Sequence, residues 1–136
     1  MAKSRRRDED QLQIGVCDLL RLNGYWPVHA PNQGQRSIVG HAVLKRMGLE
    51  PGFPDLMVFD RKSAGGKLLF LIELKRPPRP LKRGGCAKPL QPGRVQIDMH
   101  QELAERGYPV IVAHSIDEVI AGAARLGIVI TARVMA

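Results

Sequence analysis

The sequence predicts an α/β fold in which helices flank a small mixed β-sheet. Apolar residues spaced three and four apart mark amphipathic helices, as at Leu12, Val16, Leu19 and Leu20 near the start. Short runs rich in Val, Ile, Leu and Phe, too short for helices, mark strands; Leu68 to Leu74 is the strongest. The two kinds of segment alternate as helix, strand, helix, hairpin, helix, strand, helix, strand. Such an order stacks helices on the faces of one sheet.

Taken in order, residues 1–7 form a basic arm with Lys3, Arg5, Arg6 and Arg7, which is either a frayed terminus or a contact to a phosphate backbone. A helix follows from Asp8 to Leu22 and stops at Asn23-Gly24. Asp8, Glu9 and Asp10 fall in its first turn, where acidic groups suit the helix dipole. Tyr25 to His29 reads as a strand, and Ala30 to Ser37 as a polar loop. Ile38 to Met47 reads as a short helix closed by Gly48. A hairpin then joins Asp55–Phe59 to Leu68–Leu74 across a turn containing Gly65 and Gly66. The next helix, Arg94 to Arg106, carries an apolar stripe of Val95, Met99 and Leu103 with Gln96 and His100 on its flank, and ends at Gly107. Tyr108 to His114 is a buried strand. Ser115 caps a helix from Ile116 to Leu126, and Ile128 to Val134 reads as a last strand.

The chain has 136 residues, enough for one domain with a real core. Its apolar content of 44% and charged content of 25% are ordinary, but a net charge of +8 is not. That excess favours a polyanion as partner, nucleic acid first, over a basic surface kept for solubility. No run approaches the ~18 apolar residues of a membrane span, and no apolar signal region follows Met1 to Arg7. An intracellular protein without a membrane partner is expected. Cys17 and Cys86 belong to no Cys/His cluster and read as a core thiol and a loop cysteine, so zinc is not expected. His29, His41, His100 and His114 share no ligand spacing and read as surface or packing residues.

The hairpin carries the chemistry. Leu68 to Leu74 is apolar except for Glu73, and alternation points Glu73 and Lys75 to the same face. With Phe59 opposite Leu68, Asp55 falls opposite Ile72, beside Glu73. Two carboxylates and an ammonium then meet at one strand end. A buried Glu–Lys pair is the bland alternative, yet a second acid beside it is costly without a cation. Asp55 and Glu73 offer hard oxygen ligands that suit Mg²⁺ or Mn²⁺. A metal held so polarises a phosphate oxygen and acidifies a bound water, and Lys75 neutralises charge developing on the phosphate. From Pro77 to Gly93 the chain is rich in Pro, Lys and Arg with no acid, and cannot be a helix or a central strand. It reads as a basic loop leaving the site. A solvated linker is the alternative, but its position favours phosphate contact. Candidate DNA-binding residues are Arg36, Arg76, Arg79, Lys82, Arg83 and Lys88.

At these residues the chain resembles the VRR-Nuc branch of the PD-(D/E)xK nucleases. GFPDLMVF matches the G-x-P-D-hydrophobic segment, and FLIELKRP the hydrophobic-E-x-K strand. EDQLQIGVCDLLRLNGY resembles the branch's first helix, and QIDMHQELAERGYPVIVAHSIDEVI its glutamine helix, strand and helix, so the likeness spans residues 9–120. It implies a restriction-endonuclease-like fold and metal-dependent DNA cleavage. By position it implies Asp55 and Glu73 as metal ligands, with the Leu74 carbonyl as a third. It also implies Lys75 as the catalytic lysine, Glu9 as a helix acid acting on the metal through water, and Gln96 as a glutamine lining the site. Small stand-alone members resemble homodimers that cut branched DNA such as four-way junctions in the cytoplasm of a bacterial or phage-infected cell, and paired nicks suit a two-fold axis. The insert after Pro77 is longer than the pattern, which bears on substrate preference. The competing reading is a non-catalytic DNA-binding module with a nuclease fold. A decayed site usually loses an acid or the lysine, and here Asp55, Glu73 and Lys75 are all present. A basic scaffold protein would explain the charge but not the buried carboxylates.

Overall fold

The computed structural model describes residues 2–30, 38–78, 80–86, 88 and 91–131, with the side chains of 2–7, 38, 39 and 41 outside the description. Among the described residues four α-helices and four strands follow one another as α1 (Ala2–Leu22), β1 (Trp26–His29), α2 (Ile38–Arg46), β2 (Leu56–Phe59), β3 (Leu68–Leu74), α3 (Arg94–Glu105), β4 (Val110–Ala113) and α4 (Ile116–Arg125). The sheet order is β1-β2-β3-β4. β1, β2 and β3 run antiparallel, and β4 lies parallel to β3 through the crossover that contains α3. The mixed sheet is the one expected from the order of elements.

The core lies on one face of the sheet. Val16, Leu19 and Leu20 of α1 pack with Leu56, Val58, Phe70, Ile72 and Ile111 of the strands and Val119 and Ala123 of α4. Their spacing in α1 places them on a single stripe, so the helix buries that stripe and exposes the rest. α4 sits so close to β4 that a Cβ at Gly122 would stand 2.6 Å from Ile111 Cγ2. α3 buries no residue fully. It lies against the polar end of β3, so Val95, expected in an apolar stripe, is 57% exposed.

Three expectations change. α1 begins at Ala2, not Asp8, because Ala2 to Arg7 holds Lys and Arg, good helix formers, and no Pro or Gly. The basic segment is thus helical, and Asp8, Glu9 and Asp10 lie beyond the first turn, which contains no acid. The hairpin register also differs. Phe59 does pair with Leu68, but a bulge follows, and Leu56 pairs with Ile72. Asp55 therefore stands one position past the ladder, level with Glu73 instead of Ile72. Finally, Ile128 to Thr131 is not a strand, and residues 132–134 lie outside the described residues. The Asn23 side chain takes both backbone groups of Thr131: Thr131 N–H donates to Asn23 Oδ1 at 2.9 Å, and Asn23 Nδ2 donates to the Thr131 carbonyl at 3.0 Å. With those groups satisfied away from the sheet, Ile130 is buried in the core without strand pairing.

Candidate active site

The site is the corner where β2 begins and β3 ends, with α3 across it. Asp55 is fixed there by backbone on two sides. Its Oδ2 accepts the Leu74 N–H at 2.7 Å, and its own carbonyl accepts the Ala30 N–H at 3.0 Å. His29 Nδ1 lies 3.2 Å from that carbonyl oxygen and 3.0 Å from Gln13 Nε2, so it donates to the carbonyl in one tautomer and accepts from Gln13 of α1 in the other. Leu74, whose carbonyl is the expected third ligand, is thereby held to Asp55 through its N–H.

Glu73 is 3% exposed. Burial, then the hydrogen bond with Asp55, then the Asp55 charge push its carboxyl up to about 8, against the opposing pull of Lys75. Glu9, exposed on α1, adds negative potential at Glu73 and so belongs to the same electrostatic neighbourhood. Lys75 donates its Nζ–H to Gln96 Oε1 at 2.8 Å. The same oxygen accepts the Gly93 N–H at 3.0 Å and closes the first turn of α3. One glutamine thus joins the lysine to the end of the basic loop. The structure brings Asp55, Glu73, Leu74, Lys75 and Gln96 together, with Glu9 at the edge.

Two further residues shape the corner, and sequence reasoning assigned neither. His100, read as a packing residue, has its Nε2 3.5 Å from Glu73 Oε1. Burial first, and then the Lys75 charge, lower its proton affinity, which favours the neutral ring. The signal in the sequence was its spacing: Gln96 and His100 are four apart and share a helix face. Gly52 has φ +78° and lies where a Cβ would stand 2.9 Å from the Val95 carbonyl oxygen. Only glycine lets the segment before Asp55 approach the first turn of α3 so closely.

The basic residues are less gathered. Arg76 is half-buried, and Lys82, Arg83 and Lys88 are exposed, whereas Arg36 and Arg79 lie outside the described residues. The loop has local order: Pro80 and Cys86 form a bridge, and Leu81 N–H donates to the Gly85 carbonyl, so Lys82 and Arg83 sit at the tip of a tight turn.

Whether this corner suits a divalent ion can be tested on its donors. Among the described residues no three His, Cys, Asp or Glu side chains form a ready-made cage. Mg²⁺, however, binds through one or two carboxylates and completes its shell with water and substrate phosphate. Two carboxyl groups close enough to share a proton, one of them with a buried oxygen that has no partner, fit such an ion. Asp55 and Glu73 are the residues that would hold it.

No family model matches the sequence, and no curated protein matches it. Among solved structures, one described as a VRR_NUC domain protein matches with a TM-score of 0.57 and 22% identity, over 88% of this chain and 87% of that one. The chain therefore shares the restriction-endonuclease-like α/β fold of a VRR-Nuc domain.

Proposed function

We propose that the protein is a Mg²⁺- or Mn²⁺-dependent DNA endonuclease that acts on branched DNA as a homodimer. The observation that carries this reading is Glu73, a buried carboxyl held against Asp55 at the end of a strand whose next alternate residue is Lys75. A divalent ion bound there would supply Lewis acidity toward a phosphate oxygen and a water acidified for attack. The chain's own residues do the rest. Asp55 is oriented by the Leu74 N–H, which fixes its carboxylate beside Glu73, where the two would share the ion. Lys75, steadied by Gln96, places a fixed positive charge where negative charge grows on the phosphate. Glu9 adds a carboxylate that acts through water. The net charge of +8 and the Pro77–Gly93 loop, with Arg76, Lys82, Arg83 and Lys88, hold the polymer. Among the described residues no helix is long and apolar enough to cross a membrane.

The fold of a VRR-Nuc domain supports DNA as the substrate class. Branched DNA and the dimer rest on the resemblance in sequence and on the symmetry of a four-way junction. The test is incubation with labelled four-way junction, flap and linear duplex in Mg²⁺, Mn²⁺ or EDTA. Cleavage in either metal and none in EDTA is expected, with the junction cut best, and Glu73→Ala should abolish cutting while binding persists. No cleavage of any substrate at micromolar protein sinks the enzymatic reading and leaves a DNA-binding module.

A further inference from the structure

Glu73 and His100 share an anomaly. Among the described residues, the buried side-chain polar atoms without a hydrogen-bond partner are Glu73 Oε1 and His100 Nε2. They face each other at 3.5 Å, with side chains 4% and 15% exposed. Buried polar atoms are ordinarily satisfied, and each exception calls for a cause. The separation is too long for an N–H···O bond. It suits two donors on one ion, since ligands bound at ~2.1 Å lie roughly 3.0 to 3.5 Å apart.

The position of His100 follows from the fold. α3 crosses the end of β3, Gln96 anchors its first turn to Lys75, and His100 is one helical turn further on the same face. The ring therefore enters the corner from α3, while Asp55 and Glu73 enter from the hairpin.

We propose that His100 is a nitrogen ligand to the divalent ion held by Asp55 and Glu73, the ion drawing together three side chains that form no ready-made cage before it binds. The resulting mixed oxygen–nitrogen site favours Mn²⁺ over Mg²⁺. Imidazole is a donor that transition ions accept readily, whereas Mg²⁺ keeps to oxygen and gives up water reluctantly. The inference rests on the metal-dependent reading above and adds a ligand and an ion preference to it.

Pulsed electron paramagnetic resonance on the full chain loaded with Mn²⁺ tests it directly. A nitrogen coupling from a bound imidazole is expected in the wild type, changed by ¹⁵N-histidine labelling and lost in His100→Ala. In a Mn²⁺ titration with Mg²⁺ competition, His100→Ala should lose about 10- to 100-fold in Mn²⁺ affinity and less than about threefold in Mg²⁺ affinity. The coupling is read on the wild type, so it does not depend on the variant folding, and His100→Gln checks the affinities in a polar replacement. Bound Mn²⁺ that Glu73→Ala releases but that shows no nitrogen coupling overturns the His100 assignment and leaves the carboxylate site standing. So does a coupling that survives in His100→Ala, or an equal loss for both ions. A wild type that binds Mg²⁺ but no Mn²⁺ overturns this inference alone, and one that binds neither overturns the metal-dependent reading with it.

Discussion

Glu73 is a carboxylate where a lone carboxylate is costly: in the sheet interior, with Asp55 beside it. Without a cation the folded protein meets that cost by keeping a proton. Its carboxyl is pushed up to about 8, whereas in an unfolded chain it would sit near the ordinary glutamate value of 4.5. Because the folded state binds this proton more tightly, the group's contribution to stability is fully present below the unfolded value. It is lost as pH rises through the folded one. Thermal unfolding in EDTA should therefore show the wild type losing stability from about pH 4.5 to about pH 8, and levelling off above, relative to Glu73→Gln, which keeps the shape without the ionisation. Adding Mg²⁺ should restore more stability at pH 9 than at pH 6, since an ion replaces the proton that has left. Parallel pH profiles for the two proteins in EDTA would show that the carboxyl is not held protonated by its surroundings.

At the scale of elements, the decisive junction is the one between the hairpin and α3. Gly52 has φ +78° and would place a Cβ 2.9 Å from both Val95 Cγ1 and the Val95 carbonyl oxygen. Gly52→Ala adds the strain of a left-handed alanine, about 1–2 kcal/mol, and also pushes α3 away from the site. Gly65, with φ +107° and only open space within 4 Å of where its Cβ would stand, isolates the strain alone. Both variants should lower the melting temperature, Gly52→Ala more, because it adds the clash with Val95 to the strain. Only Gly52→Ala should also cut cleavage tenfold or more, because Val95 adjoins Gln96 and with it the Lys75 tether. Equal activity in the two would show that α3 tolerates the displacement.

The same junction shows what the sequence could and could not reveal. The acidic pair and the lysine were legible, since a charge in an apolar run and a two-residue alternation are local facts. The register was legible only as far as the turn: pairing Phe59 with Leu68 was right, but the bulge beyond it depends on how the whole sheet bends. Ile128 to Thr131 has strand composition, yet the partner for its backbone is an asparagine side chain 108 residues earlier in sequence. His100 was visible as a helix-face neighbour of Gln96, but nothing local says which face meets β3. Long-range contacts of this kind leave no trace in a short window.

For the whole molecule, the question is how a protein with a net charge of +8 presents it to DNA. The acids of the site gather at one end of the sheet, and the basic loop leaves from Lys75, directly beside them. Lys82 and Arg83 stand exposed at the tip of the turn closed by Leu81 and Gly85, and neither is among the charges that act on Glu73. A backbone that reaches Glu73 can thus be held by phosphate contacts that play no part in the chemistry. Such contacts release counterions and carry no base preference, so their loss weakens binding evenly across sequences and flattens its salt dependence. Replacing both residues, Lys82→Ala with Arg83→Ala, should reduce the slope of log K against log salt by about 2 if each contacts one phosphate. Mn²⁺ affinity in the absence of DNA should stay unchanged, because the charges that act on Glu73 are those of Asp55, Lys75 and Glu9. Measuring DNA binding by anisotropy from 50 to 200 mM salt, with a metal titration alongside, separates the two roles. An unchanged slope would place the DNA path on another face of the molecule, away from this loop.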